Sequence, residues 1–353
     1  MNFTSDNSHG VSEPILRALA RANEGTAESY GADALSAAVE KAFCALFERE
    51  VAVIQVATGT AANALAIAAY TPPYGAVLCH RDSHVMTDEC GAGEFYSGGA
   101  KLAGLDGEAC KIAPATLSAA LARMPGGDQH RTPPALLSLT QASEAGTLYS
   151  AEEIAILAKI AHERGLAVHM DGARFANALV SLDVSPAEMT WKAGVDVLSF
   201  GATKNGAMAA EALVLFDPER AQELVFRRKR AGHLLSKSRF LAAQLLAYLE
   251  DGHWLAMARH ANALARRLGN GLAQVPGVRL AWPVEANEVF AILPLSLDAR
   301  LRAGGARYHS WLGHSAPPSG LDSGSERFVR LVTSGLMDGE EVGRLLDLAR
   351  GDG

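Results

Sequence analysis

Five short apolar runs, at residues 51–57, 76–79, 135–140, 166–170 and 195–199, recur along the chain with longer helix-like patterns between them. Runs this short, rich in Val, Leu and Ile, suit strands, and strand–helix alternation is how a parallel sheet is connected. The expected class is therefore α/β with a mostly parallel central sheet. Open sheets of that kind bind ligands beyond the carboxyl ends of their strands, so the residues that follow each run are where chemistry is expected.

At 353 residues and 49% hydrophobic content, the chain can bury a large core and divide into two domains. Helical patterns at 221–250 and 254–272 lead into later strand signals at 278–281, 288–294 and 328–333. We expect an N-terminal arm over residues 1–30, a large domain over 31–250 and a smaller α/β domain over 251–353. The Gly-, Ser- and Pro-containing stretch 313–325 reads as a surface loop or flap. A net charge of −7 argues against a nucleic-acid partner. The polar first ten residues carry no signal-peptide pattern, and no apolar window approaches the ~20 residues of a membrane span. The expectation is a cytoplasmic protein without a membrane partner. Cys44, Cys79, Cys90 and Cys110 lack paired metal-ligand spacing and are too few for a disulfide framework. Free thiols and no metal site are expected.

Three segments behind the apolar runs carry chemistry. Thr203-Lys204-Asn205-Gly206 places one lysine among small residues after a strand-like run. A lysine that condenses with an aldehyde needs such a partly desolvated, open setting; a solvated lysine is the ordinary alternative. Asp171-Gly172-Ala173-Arg174 ends another run in an acid. Asp171 suits the carboxylate that keeps the ring nitrogen of pyridoxal phosphate protonated, and Arg174 suits the phenolic oxygen of that ring. A helix N-cap at Asp171 is the competing reading. Thr58-Gly59-Thr60-Ala61-Ala62-Asn63 opens an Ala-rich helical stretch, where Gly59 and Thr60 suit an anion such as phosphate. An ordinary strand-to-helix turn would look the same.

Taken together and in this order, these segments resemble the threonine aldolases, fold-type I pyridoxal phosphate enzymes related to the β-eliminating lyases. Further matches lie at Phe3-Thr4-Ser5-Asp6-Asn7, Gly31-Ala32-Asp33, Ser83-His84 and Arg330-Leu331-Val332-Thr333. The resemblance implies a fold-type I aminotransferase-like architecture and pyridoxal 5'-phosphate bound through Lys204. It implies His84 stacked on the ring and placed to take a proton, with His130 as a second active-site histidine. It gives the substrate carboxylate to Arg330, aided by Ser5 and Arg174. The family shares its sites between subunits, so Lys229 and Lys237, in and after the basic run Arg227-Arg228-Lys229-Arg230, are expected near the cofactor phosphate of a neighbour, although a solvated helix face is the default for such a run. A homodimer or homotetramer is implied, with the N-terminal arm crossing into a neighbour. Glu144 falls in a segment that lines the family's pocket.

The implied reaction is retro-aldol cleavage of a β-hydroxy-α-amino acid, L-threonine or L-allo-threonine, to glycine and an aldehyde. The alternatives are another lyase of the β-eliminating family, an aldolase for larger substrates such as phenylserine, or a non-catalytic binding protein on the same fold.

Overall fold

The computed structural model describes residues 1–311 and 320–351. Seven strands form the larger sheet: β1 Ala52–Val56, β2 Ala76–His80, β3 Lys101–Leu105, β4 Pro134–Thr140, β5 Ala167–Gly172, β6 Val197–Gly201 and β7 Glu211–Leu215. Their order is β1-β7-β6-β5-β4-β2-β3. All run the same way except β7, which is antiparallel to both its neighbours. The five strands expected from the apolar runs are present. Two more complete the sheet: β3, an edge strand with one buried residue in five, and β7, buried throughout.

Helices cover both faces. The helix Gly59–Tyr70 carries Ala at six of its positions because it lies close against the sheet, and Ala61, Ala62, Ala64 and Ala66 are buried. On the other face, Phe200 of β6 meets Phe43 at 5.0 Å, Trp254 at 5.6 Å and Tyr248 at 6.0 Å between ring centroids. Each buried aromatic side chain of this kind removes on the order of 150–250 Å² from water. This cluster therefore fixes the end of β6 against three helices.

A second sheet, entirely antiparallel, orders β10 (His309–Ser310), β11 (Glu326–Val332), β9 (Glu288–Pro294) and β8 (Arg279–Leu280). Val289, Ala291 and Leu293 face one core while Phe290 and Ile292 face another. The sheet is thus covered on both sides, which is why β9 reads as an unbroken apolar run. Helix His253–Leu272 joins the two parts: Trp254 and Ala258 sit in the first core, and Leu264, Leu268 and Leu272 in the second.

One expectation changes here. The helical pattern at 221–250 is two helices, Ala221–Arg230 and Arg239–Leu249, interrupted at Gly232 with φ +79°. The start of the N-terminal segment packs on its own chain. The Phe3 N–H donates to the Arg307 carbonyl at 2.8 Å, its carbonyl accepts from Val332 N–H at 2.9 Å, and its ring is buried beside the small sheet. Of the loop or flap expected over 313–325, residues 313–319 lie outside the described residues; residues 320–325 form a turn-rich lead into β11.

Candidate active site

Strands β1, β2, β4, β5 and β6 share a direction, so their carboxyl ends lie on one edge of the large sheet, and a cavity of about 410 Å³ opens there. Its walls include Thr58, Gly59 and Thr60 after β1, His84 after β2, Asp171 and Ala173 at β5, and Lys204 after β6. Such a volume falls within the range of small-molecule sites. Five residues drawn from four separated sequence segments, Gly59, Thr60, His84, Asp171 and Lys204, are brought together.

Lys204 occupies a short turn, Thr203–Asn205. The turn is anchored beneath: the Asn205 side-chain amide donates to the Tyr248 hydroxyl and to the Trp254 carbonyl, each at 2.8 Å. Gly206 follows at φ +104°, a conformation that favours glycine, and its carbonyl accepts from Ser12 N–H at 2.9 Å. A side chain on Gly201 would place Cβ 2.7 Å from the Ala173 carbonyl oxygen, so only glycine lets β5 and β6 end this close together.

Asp171 is buried, and both oxygens are engaged. One accepts from Ala173 N–H at 3.0 Å and the other from the Asn63 amide at 2.9 Å. The same Asn63 amide donates to Glu89 at 2.8 Å, and Glu89 meets the His84 Nδ1 at 3.0 Å. A polar relay thus runs from Asp171 through Asn63 and Glu89 to His84. The Glu89 hydrogen bond holds the His84 imidazolium, so its pKa is raised against the opposing effect of burial. Burial pushes Glu89 up as well. Beneath the cavity, His169 is buried between the Ser138 and Ser199 hydroxyls at 2.9 and 3.0 Å, and burial drives its pKa down to about 4, leaving it a neutral structural link.

At the cavity's other wall, Thr58 caps the helix by accepting from Ala61 N–H at 3.1 Å. The N–H groups of Gly59 and Thr60 belong to the first turn, where the helix has no carbonyl for them. A Cβ built on Gly59 would meet no protein atom within 4 Å. Open space at a helix start, a buried carboxylate and a lysine around one cavity fit a phosphorylated, aldehyde-bearing aromatic cofactor. Glu211, at the start of β7, also lines the cavity; burial pushes it up to about 7 despite hydrogen bonds from Thr203 and Ala202.

Arg174 does not line the cavity. Its guanidinium grips Asp6 through Nε at 2.8 Å and Nη2 at 3.2 Å, and pairs with Glu288 at 3.3 Å. Arg330 lies 3.8 Å above the Trp311 ring, pairs with Glu288 at 3.6 Å, and donates to the Thr4 carbonyl at 3.4 Å. Its buried Nε has no hydrogen-bond partner among the described residues. Ser5 caps the turn Asp6–Ser8, accepting from Asn7 N–H at 3.1 Å, while Asn7 and His9 reach the cavity wall. Glu144 follows β4 in the segment beside His84, and burial pushes its pKa up.

His130 is not brought to the cavity of its own chain. It precedes β4, at the amino end of that strand and so away from the cavity edge, exposed in a loop where its N–H donates to Asp128 at 2.9 Å. A loop of unpredictable length offered no means of fixing which end of the sheet it joined. Lys229, in the helix Ala221–Arg230, lies 5.1 Å over the Tyr30 ring; neither it nor Lys237 lines the cavity of its own chain. Among the described residues, folding also brings Cys110 beside His80 and Asp82, a proximity that no sequence spacing showed. Both His80 nitrogens already have partners, Asp82 N–H at 3.1 Å and the Gly107 carbonyl at 3.2 Å.

Sequence reading missed Asp6, Asn63, Glu89 and Glu211 as individual site residues. Asn63 and Glu211 had a signal, each being a polar residue in an otherwise apolar element.

The chain matches the family model of the beta-eliminating lyases over residues 2–295. It is 46% identical over 312 residues to the low specificity L-threonine aldolase of Pseudomonas aeruginosa, covering 88% of this chain and 89% of that one. Against the low specificity L-threonine aldolase of a Pseudomonas species the figures are 42% over 328 residues, covering 93% and 91%. A solved structure of Leishmania major threonine aldolase is similar with a TM-score of 0.91 at 28% identity, covering 99% and 98%.

Proposed function

This chain belongs to the beta-eliminating lyase family, and we infer that it cleaves L-threonine and L-allo-threonine to glycine and acetaldehyde as a pyridoxal phosphate-dependent aldehyde-lyase. The observation that carries the inference is the convergence of Lys204, Asp171, His84 and the helix start at Gly59 on one cavity, in a chain 42–46% identical to low specificity L-threonine aldolases. When bound, pyridoxal phosphate supplies an electron sink for the pair released as Cα–Cβ breaks.

The residues divide the remaining work. Lys204 offers the amine that holds the cofactor, and its anchored turn keeps that amine at the cavity. Gly59 and Thr60 present N–H groups to the phosphate. Asp171 holds a proton on the ring nitrogen, and its own two hydrogen bonds leave it little freedom to turn away. His84 offers a ring face for stacking and takes the β-hydroxyl proton, with Glu89 fixing its orientation. Arg330, whose Nε has no hydrogen-bond partner among the described residues, binds the substrate carboxylate, which decides the bond that stands ready to break. Arg174, gripped by Asp6 and Glu288, holds the N-terminal segment against this wall, and Ser5 turns that segment toward the cavity.

The protein is further proposed to be a cytoplasmic homo-oligomer, a dimer or a tetramer, in which Lys229 and Lys237 approach the phosphate in a neighbouring subunit. Supporting this, both lie away from their own cavity, and Phe95 and Phe226 are each more than three-quarters exposed near the basic helix. No described helix is long and apolar enough to cross a membrane.

The test is a product assay with L-threonine, together with borohydride fixation of the cofactor and mapping of the modified lysine. Glycine and acetaldehyde in equal amounts, with the label on Lys204, are expected. Ammonia and an α-keto acid in their place, or a label on another lysine, would overturn the reading.

A further inference from the structure

Because β7 runs against the rest of the large sheet, its first residue lies at the edge where the cavity opens. That residue is Glu211. In register it stands opposite Gly201, the last residue of β6, on one side and Val56, the last residue of β1, on the other. It therefore sits between the strand end that leads to Gly59 and Thr60 and the one that leads to Lys204.

Its carboxyl is buried, lines the cavity, and spends its hydrogen-bonding capacity on the residues just before Lys204. It accepts from Ala202 N–H at 3.0 Å, and the neighbouring hydroxyl and N–H of Thr203 pull its pKa down against the effect of burial. The Thr203 hydroxyl also accepts from Ala210 N–H at 3.3 Å, closing the connection back toward β7. Burying a carboxyl is costly unless its bonds compensate, and here those bonds all fall on one turn. Lysine has a flexible four-carbon stem, so the aim of its amine depends on how firmly the backbone under it is held.

We propose that Glu211 is a positioning residue for Lys204, fixing through Ala202 and Thr203 the turn that aims the lysine amine at the cofactor's aldehyde carbon. The proposal rests on the assignment of Lys204 as the cofactor-holding lysine. Asn205 secures the turn from the core side; Glu211 secures it from the cavity side.

The test is reconstitution of resolved enzyme with pyridoxal 5'-phosphate, following the visible absorbance of lysine-bound cofactor with time and mapping the borohydride-fixed lysine. Glu211→Ala should form the linkage ~10²-fold more slowly than wild type, as expected for an amine displaced by about 1 Å. Glu211→Gln, which keeps an acceptor for Ala202, should recover most of that rate. Thr203→Val, which leaves Glu211 in place but removes the hydroxyl, should also be slow, and it serves if Glu211→Ala does not fold. Wild-type kinetics in Glu211→Ala or Thr203→Val would overturn the proposal. So would Glu211→Gln as slow as Glu211→Ala, which would assign the effect to charge. Failure of the wild type itself to label Lys204 would instead overturn the underlying assignment, and this proposal with it.

Discussion

Replacing Asp6 by alanine should destabilise the protein more than its place in the N-terminal segment suggests. Asp6 and Glu288 are two buried carboxylates set against two guanidinium groups, the buried Arg174 and the partly buried Arg330. Removing Asp6 leaves that group with one uncompensated positive charge. It also breaks both Arg174 contacts, at 2.8 and 3.2 Å, and the bond from the Asn287 amide at 3.1 Å. Breaking a buried pair by deleting one partner costs ~3–5 kcal/mol. Because Arg174 keeps Glu288 and Asn287 keeps the Thr333 carbonyl, the lower figure applies. With a urea dependence of roughly 3 kcal/mol per molar, a ~3 kcal/mol loss moves the unfolding midpoint down by about 1 M. Asp6→Asn, which keeps shape and one acceptor, should fall about halfway.

The effect has a defined pH dependence. Burial alone would raise the Asp6 pKa, but Arg174 outweighs it and holds the carboxyl below its ordinary value of 3.8. The native state therefore binds this proton less readily than the unfolded chain. The stabilisation is complete above pH 3.8 and is lost as pH falls through the depressed native value. The gap between wild type and Asp6→Ala, measured by tryptophan fluorescence in urea, should be constant from pH 8 to about 4 and close below that. A gap under ~0.5 kcal/mol, the size of an ordinary surface change, would falsify the reasoning, as would a gap that stays open in acid.

Other outcomes follow from the site. Asp171→Asn should retain cofactor but lose ~10³-fold in kcat, since a charge partner leaves a preorganised site; near-normal turnover would reduce Asp171 to an anchor for Asn63 and Ala173. With Glu89 raising the His84 pKa, the free base forms only at higher pH than for an ordinary histidine. The acid limb of kcat/KM should accordingly lie high in wild type and move to lower pH in Glu89→Gln, as read from pH–rate profiles. His130→Ala should leave kcat and KM unchanged, and a large loss would return that residue to the site. Sedimentation at assay concentration should show an oligomer, whereas a fully active monomer would exclude shared sites.

What the sequence made legible follows what each element needs. Strands buried on both faces tend to announce themselves as apolar runs, so β1, β2, β4, β5, β6 and β9 were readable, although β7, buried throughout, was not read. β3 was not, because as an edge strand only Leu102 is buried. Residues 221–250 read as one helix since the apolar pattern continues past Gly232, while the break depends on backbone conformation. In the site, Gly59, Asp171 and Lys204 were readable because each follows a strand and has a distinctive chemical type. Asp6, Glu89 and Glu211 act through pairings with residues elsewhere in the chain, such as Asp6 with Arg174, 168 positions away. Such pairings leave no local pattern. His130 shows the converse: a suitable residue type, carried to the wrong end of its strand by its loop.

The seating of the N-terminal segment also sets an order of events during synthesis. Residues 3–12 emerge from the ribosome first, yet their partners come far later: Gly206 for Ser12, Asn287 for Asp6, Arg307 and Val332 for Phe3. At ~5–20 residues per second, the earliest residues wait roughly 15–70 s for the strand that receives them. Until then one wall of the cavity is missing, and Arg174 lacks its closest partner. The large sheet can form from local strand–helix pairings in the meantime, but the site cannot. A chain that stops short of β11 would therefore be able to fold its cofactor-binding edge without completing a catalyst.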